Sequence, residues 1–160
     1  MNEDSIRIRP AMRFPVPWVF ILAYLIGLVA ELFVPVGIAS PVFSRIGFPA
    51  GLCLVAVGMA FALSALAIFR KRSTTTIPHA KPTSLATSGP YRFTRNPMYV
   101  GLTLIYIGVA GTRAEIWPLI LLPLVLVYVN FVVIPFEERR MQDVFGDDCG
   151  SYRTRVRSWL

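Results

Sequence analysis

Four runs of apolar residues, separated by polar stretches, dominate the sequence. They cover residues 16–38, 48–69, 97–112 and 116–136. A helix needs about 20 mainly apolar residues to cross a bilayer, so three runs are long enough and the third is short for a full crossing. The pattern predicts an all-α integral membrane protein with about four transmembrane helices, folded as a single domain over residues 1–160.

The connections between these runs predict how the helices are arranged. Residues 113–115 are all that separate the last two runs, which therefore form a tight helical hairpin. A hairpin brings the start of the third helix, near Asn96, next to the end of the fourth, near Glu137. Small residues in the second run provide surfaces for close helix packing; they are Gly51, Gly58, Ala60 and Ala62.

The distribution of positive charge predicts the topology. Of the 16 Lys and Arg residues, 3 precede the first run, 6 lie in the loop 70–96 and 5 lie in the tail 137–160. Only Arg45 and Arg113 fall on the other side. Under the positive-inside rule this asymmetry places both termini, the long loop and the tail in the cytoplasm.

Composition excludes several classes of function. The net charge of +7 could indicate nucleic acid, but the basic residues adjoin apolar spans, which is typical of contact with membrane lipid. A lone His79, with Cys53 in an apolar run and Cys149 in the tail, argues against a zinc site or a disulfide framework. Glu31 lies inside the first run, where it is either a carboxylate near the far interface or a group facing the bundle.

The segment S-G-P-Y-R-F-T-R-N-P-M-Y-V-G, residues 88–101, joins the polar loop to the third helix. Asn96 is placed to cap the helix, and Pro97 suits its first position. The free amides of a helix start, with Arg92 and Arg95 beside them, could hold a carboxylate or phosphate. The alternative is a turn whose arginines face lipid headgroups.

The end of the fourth helix carries the second group of candidate residues. Glu137 could accept an ammonium group opposite the anion site, a pairing that suits an amino-acid-like zwitterion. Alternatively, Glu137 and Glu138 form a surface helix end paired with Arg139 or Arg140. The tail beyond has apolar residues at helical spacing and predicts an interfacial amphipathic segment broken at Gly146 and Gly150.

The segment L-A-T-S-G-P-Y-R-F-T-R-N-P-M-Y-V-G is followed about forty residues later by E-E-R-R-M-Q-D-V-F-G-D-D-C-G-S-Y-R-T-R-V-R-S-W-L. Together they resemble the isoprenylcysteine carboxyl methyltransferase and phospholipid methyltransferase superfamily of integral membrane enzymes. The resemblance covers roughly residues 80–160. It implies a helical fold that holds S-adenosylmethionine in a cytoplasmic pocket above the hairpin, covered by the loop and the C-terminal tail, with a tunnel open to lipid.

The resemblance also implies which residues contact the cofactor. Val133 departs from the eukaryotic prenylcysteine enzymes, which have at this position an arginine thought to meet the substrate carboxylate. Independently of the resemblance, Arg155 is the candidate catalytic residue that could orient an anionic acceptor, and its alternative role is a headgroup anchor. The implied cofactor contacts are Thr83, Ser84, Leu85, Ala86, Tyr91, Asn96, Pro97, Met98, Tyr99 and Glu137.

We therefore expect an S-adenosylmethionine-dependent methyltransferase whose acceptor is a hydrophobic or lipid-like small molecule. Two alternatives remain open: an NADPH-dependent membrane reductase of the sterol-reductase type, which shares the Gly-Pro-Tyr pattern, and a non-enzymatic membrane adaptor whose basic face binds anionic lipid. The sequence does not define the oligomeric state.

Overall fold

The structure is a computed structural model that describes residues 16–36, 41–72 and 87–159. All regular elements in these ranges are helical, which confirms the predicted all-α class. The helices are α1 (Val16–Phe33), α2 (Pro41–Arg72), α3 (Pro97–Arg113), α4 (Ile116–Tyr128), α5 (Ile134–Phe145) and α6 (Asp147–Arg155); a 3₁₀ turn spans Gly89–Arg92 and a π-helical turn spans Val129–Val133.

Three stretches of helix among the described residues are long and apolar enough to cross a membrane. They are Val16–Phe33, Arg45–Ile68 and Ile116–Phe145. With 17 residues, α3 is roughly 25 Å long, which is less than the roughly 30 Å of a hydrocarbon core. The chain is thus an integral membrane protein in which the shortest membrane helix begins close to an interface.

The second helix begins earlier than its apolar run. It starts at Pro41 instead of Phe48, so much of the loop predicted before it is helical. Proline fits the first helical position because its missing N–H would have no partner there. The fourth run contains α4 and the π turn, and the helix that follows, α5, extends beyond residue 136 to Phe145.

Helices α2 and α3 pack antiparallel along two pairs of glycines. A Cβ atom on Gly51 would lie 2.6 Å from the Gly108 carbonyl oxygen, and one on Gly58 would lie 2.7 Å from that of Gly101. The contacts are reciprocal, so each backbone fills the space that a side chain would occupy on the other helix. The predicted packing role of Gly51 and Gly58 is confirmed, whereas Ala60 lies on the exposed side.

The other half of the bundle is formed by α1 and α4. Gly27 of α1 lies against Pro118 of α4, where an added Cβ would be 2.7 Å from the proline nitrogen. Apolar side chains of α1, α3, α4 and α5 meet between the helices and form the core, while much of the outer surface of α1 and α4 is exposed and apolar, as expected for contact with lipid. The core cluster is Phe20, Tyr99, Tyr106, Leu122, Val125, Val129 and Ile134.

A two-residue turn closes the hairpin between α3 and α4. Ala114 adopts the left-handed conformation there, with φ 57°. Glu115 is buried beside it, where it accepts hydrogen bonds from the Tyr24 hydroxyl and from Arg113 Nε, the latter at 2.6 Å. We call this side of the bundle the Glu115 end. Glu31 lies towards the same end. Its Oε1 accepts a hydrogen bond from the Val36 amide at 2.9 Å, so this carboxylate binds a backbone N–H just beyond the end of α1.

The tail folds back on the opposite side, which we call the Glu137 end. Gly146 separates α5 from α6 with φ 52°, so the predicted break at this glycine is confirmed. The break predicted at Gly150 is wrong, because this residue lies inside α6. Of the two glycines, Gly146 has the positive φ that ends a helix, and it is the point at which the chain turns back over the bundle.

Candidate functional site

A direct hydrogen bond joins the start of α3 to the start of α5. The Tyr99 hydroxyl donates to Glu137 Oε1 at 2.7 Å. Tyr99 is buried, whereas Glu137 remains exposed, and Oε2 has no hydrogen-bond partner among the described residues. The hairpin therefore brings together the two ends that the sequence predicted to be neighbours, and it leaves one carboxylate oxygen available.

Tyr91 lies close to the same pair. It belongs to the 3₁₀ turn created by Gly89, whose φ of 62° suits glycine, and by Pro90. Burial raises the pKa of Tyr91, and the nearby Glu137 carboxylate raises it further. The Tyr91 side chain therefore remains a neutral phenol at physiological pH, within the electrostatic influence of the Glu137 carboxylate.

Asn96 precedes α3 but does not cap it with its side chain. Its amide Nδ2 donates to the Ser158 carbonyl oxygen at 3.0 Å, so the predicted side-chain cap is wrong. In the first turn of α3, Pro97 has no N–H, and the amides of residues 99–100 donate to the Asn96 carbonyl oxygen at 3.0 and 3.1 Å. Among the described residues, the Met98 amide is therefore the one donor of this turn without a partner, and it is available to an anion together with the positive end of the helix dipole.

Glu138 is the centre of an ion-pair network on the other face of α5. Its Oε1 lies 3.0 Å from Arg95 Nη2, and its Oε2 lies 3.0 Å from Arg153 Nη2. The side chains of Glu138 and Arg95 are 10% and 12% exposed, respectively, so their pair is screened little by solvent. Glu138 thus connects the segment before α3 with helix α6.

Backbone and side-chain bonds fasten the tail to the same segment. Buried Thr94 donates through Oγ1 to the Ser158 carbonyl at 2.8 Å, and the Arg95 amide donates to the Arg157 carbonyl at 2.8 Å. The Tyr152 hydroxyl donates to the Tyr91 carbonyl at 2.7 Å. The tail therefore determines the conformation of the segment that carries Tyr91.

The structure places the remaining predicted residues as follows. Pro97 is buried and Met98 half-buried at the start of α3. Arg155 is exposed on α6, and its Nε donates to the Ser151 carbonyl at 3.0 Å, so the structure does not bring it to Glu137. Val133 lies in the π turn, one helical turn before Glu137. Four predicted contacts lie outside the described residues: Thr83, Ser84, Leu85 and Ala86.

Several residues of this end were not singled out as site residues from the sequence. Glu138 was considered only together with Glu137, although two consecutive carboxylates on a helix point about 100° apart and cannot share one ligand atom. The bonds from Thr94 to Ser158 and from Tyr152 to Tyr91 join residues 64 and 61 positions apart, which no local pattern indicates. Arg95, predicted to lie beside an anion, instead pairs with Glu138. The residues missed are Thr94, Glu138, Tyr152 and Ser158.

The Glu137 end has the donors and acceptors required by a zwitterion. Glu137 Oε2 can accept an ammonium group, while the Met98 amide and the positive end of α3 can attract a carboxylate. The described residues contain no cluster of His, Cys, Asp and Glu that could hold a metal ion. This end therefore suits a small zwitterionic ligand.

Comparison with known protein families identifies the chain more closely. A family model described as phospholipid methyltransferase matches residues 46–148, which is more than half of the sequence and includes α3, α4 and α5. No significant match was found among curated proteins or among solved structures. The matched region contains Tyr91, Tyr99, Glu137 and Glu138 and confirms the resemblance indicated by the Gly-Pro-Tyr and Glu-Glu motifs. The chain thus belongs to the phospholipid methyltransferase family of membrane methyltransferases.

Proposed function

We propose that this protein is an S-adenosylmethionine-dependent methyltransferase that acts on a hydrophobic or lipid-like acceptor at the membrane. The observation that carries the proposal is the Glu137 carboxylate, fixed by Tyr99 through one oxygen and open at the other, beside the start of α3. Membership of a methyltransferase family supports it.

Each side of the site has a separate role in this proposal. Bound S-adenosylmethionine supplies an electrophilic methyl group, whose transfer to an acceptor heteroatom breaks the sulfur–carbon bond and leaves its electron pair on sulfur. Glu137 holds the ammonium group, and the Met98 amide, with the positive end of the α3 dipole, holds the carboxylate. Tyr91 and Met98 form walls of the proposed cofactor site. The tail covers the site and limits water, which favours a displacement that needs an oriented donor and a desolvated nucleophile.

The acceptor is proposed to approach from the lipid. The helices below Glu137 present apolar side chains, and Val133 places no charge one turn before Glu137. Losing a buried charge pair costs roughly 2–5 kcal/mol, enough to disfavour an acceptor whose charged head needs a cation at this position. A hydrophobic thiol, phenol or lipid amine is better suited than a prenylcysteine carboxylate.

Calorimetry on the purified protein tests the cofactor. We expect saturable binding of S-adenosylmethionine and no binding of NADPH. Binding of NADPH alone would favour a membrane reductase, and binding of neither would favour a non-enzymatic adaptor; either result would overturn the proposal.

Three substitutions test the location of the site. Glu137→Ala and Tyr91→Ala should weaken cofactor binding, the former by roughly 10- to 100-fold, because a hydrogen bond to a charged group contributes about 1.5–3 kcal/mol. Arg140→Ala is the matched control on the exposed side of the same helix and should leave binding unchanged. Equal loss in all three variants, or in none, would contradict this site.

A methylation screen in detergent tests the acceptor class. It should include a farnesylated cysteine analogue, phosphatidylethanolamine, hydrophobic thiols and phenols. Turnover of the farnesylated cysteine alone, with Val133 in place, would refute the proposed class.

A further inference from the structure

The attachment of the tail brings two arginine-rich segments together at the Glu137 end. Residues 87–97 and 149–159 contain no Asp or Glu. The Arg95 amide donates to the Arg157 carbonyl oxygen at 2.8 Å, so the two segments lie side by side. Positive charge is therefore concentrated where the tail meets the bundle. The arginines of the two segments are Arg92, Arg95, Arg153, Arg155 and Arg157.

Glu138 balances only part of this charge. It pairs with Arg95 and with Arg153. The other three arginines are exposed and form no ion pair with a described carboxylate. Even when Glu137 is counted, five arginines stand against two carboxylates, which leaves an excess of three positive charges. We call the three exposed arginines the basic surface; they are Arg92, Arg155 and Arg157.

The exposed arginines of α5 have different neighbours. Asp143 follows Arg139 by four residues, and Glu137 precedes Arg140 by three. These spacings place opposite charges side by side on a helix, and all four residues are exposed. Positive charge is thus balanced locally on α5 but not on the basic surface.

Two aromatic residues place the basic surface at the membrane boundary. Trp159 Nε1 donates to Asn130 Oδ1 at 3.0 Å, and Asn130 lies in a helix long enough to cross a membrane. Arg157 is two residues from Trp159, a distance of at most roughly 7 Å along an extended chain. Phe93, which adjoins Arg92, is 67% exposed, as is typical of aromatic side chains at an interface. The basic surface therefore lies near the level of the lipid headgroups.

The headgroup of an anionic phospholipid matches this surface in charge and in chemistry. Guanidinium groups bind phosphate oxygens through paired hydrogen bonds. A zwitterionic headgroup brings its own cation, which arginines without counter-charges repel. Near an anionic membrane surface, each basic side chain contributes about fivefold in affinity. Three such side chains are enough to distinguish anionic from zwitterionic lipid.

We propose that Arg92, Arg155 and Arg157 bind the headgroups of anionic phospholipids, and that this contact helps to hold the tail against the segment before α3. The positive charges of the two segments repel each other, and phosphate groups placed between them remove the repulsion. The inference goes beyond the proposed function and does not depend on it, because lipid binding is measured without cofactor or turnover.

The fluorescence of Trp159 tests which lipid lies beside the basic surface. Trp18 and Trp117 are replaced by phenylalanine, and the protein is placed in phosphatidylcholine nanodiscs. A graded fraction of the lipid is then either phosphatidylglycerol or phosphatidylcholine with brominated chains, because bromine quenches indole fluorescence on contact. We expect half-maximal quenching at a mole fraction of phosphatidylglycerol at least about fivefold lower than that of phosphatidylcholine. High ionic strength should weaken this preference.

Two double variants locate the effect. Arg92→Gln with Arg157→Gln should remove most of the preference for phosphatidylglycerol. Arg139→Gln with Arg140→Gln is the matched control, because it removes the same charge from exposed positions of α5 and should retain the preference. With the native tryptophans in place, phosphatidylglycerol should raise the melting temperature of the wild type and of the control more than that of the first variant.

Equal quenching by the two lipids in the wild type would overturn the inference, and this comparison decides the question even if a variant does not fold. Equal loss of preference in both double variants would show a response to net charge alone and would also overturn it. Displacement of phosphatidylglycerol by millimolar inorganic phosphate would assign the surface to soluble anions, with the same consequence.

Discussion

At the scale of single residues, Glu137 and Glu138 adjoin each other in sequence but differ in their surroundings. Glu137 shares one oxygen with Tyr99, and its other oxygen has no partner among the described residues, whereas Glu138 is buried between two arginines. Their positions on α5, about 100° apart, account for the difference. We propose ligand binding for the first carboxylate, whereas the second attaches the tail.

The Glu138 network predicts unequal effects on stability. Glu138→Gln should lower the free energy of unfolding by about 2–4 kcal/mol, because it leaves the buried Arg95 guanidinium without a counter-charge. Arg153→Gln removes the other pair, but this side chain is 44% exposed, so we expect less than about 1 kcal/mol. Thermal unfolding in detergent measures both; equal losses would contradict a central role for the Glu138–Arg95 pair.

Tyr152 predicts a dependence on alkaline pH. Burial is the main cause that raises its pKa to about 12 from an ordinary value of 10.0. A raised pKa in the folded protein contributes stability that is complete below pH 10 and is lost as the pH rises towards 12. Tyr152→Phe should therefore reduce the decline in melting temperature over this window. An unchanged decline in the variant would show that this phenol does not contribute.

At the scale of helices, the α2–α3 contact is the most extensive among the described elements. The four glycines are separated by seven residues on each helix, so equivalent faces recur after two turns and both pairs meet in the same register. A side chain at any of these glycines would meet backbone atoms of the facing helix. Because those atoms cannot move aside by a change of rotamer, the added side chain cannot be accommodated.

This packing predicts that Gly58→Ala is destabilising by about 1–3 kcal/mol, since the new methyl group would lie 2.7 Å from the Gly101 carbonyl oxygen. Gly111→Ala is the matched control in α3, where the nearest atom would be 3.8 Å away, and it should be neutral or slightly stabilising. Melting temperatures in detergent compare the two; a Gly58 variant as stable as the Gly111 variant would contradict the close approach.

At the scale of the whole molecule, the predicted topology concentrates the basic residues on one side of the membrane. We predict that both termini and the Glu137 end face the cytoplasm, because 14 of the 16 Lys and Arg residues lie on that side in the predicted topology. Reporter fusions at either terminus measure this directly. A terminus found outside the cytoplasm would contradict the topology and would move the proposed site to the other compartment.

The sequence was sufficient for the features that depend on local patterns. Apolar runs indicated the helices, the short 113–115 connection indicated the hairpin, and that hairpin was enough to bring Tyr99 and Glu137 to one end. It was not sufficient for contacts made by the tail. The bond from Asn96 to Ser158 joins residues 62 positions apart and replaces the expected local cap. The π turn could not be predicted from the sequence either, because its residues are as apolar as those of the helix around it.

The attachment of the tail has a consequence for the order in which the protein matures. Translation delivers Thr94, Arg95 and Asn96 long before it delivers Tyr152 to Ser158, and domains generally fold as their residues emerge. While α3, α4 and α5 enter the bilayer, the backbone and side-chain groups that later meet the tail must be satisfied by water or headgroups. The Glu137 end is therefore completed only after residues 152–158 have been synthesised and can reach the segment before α3.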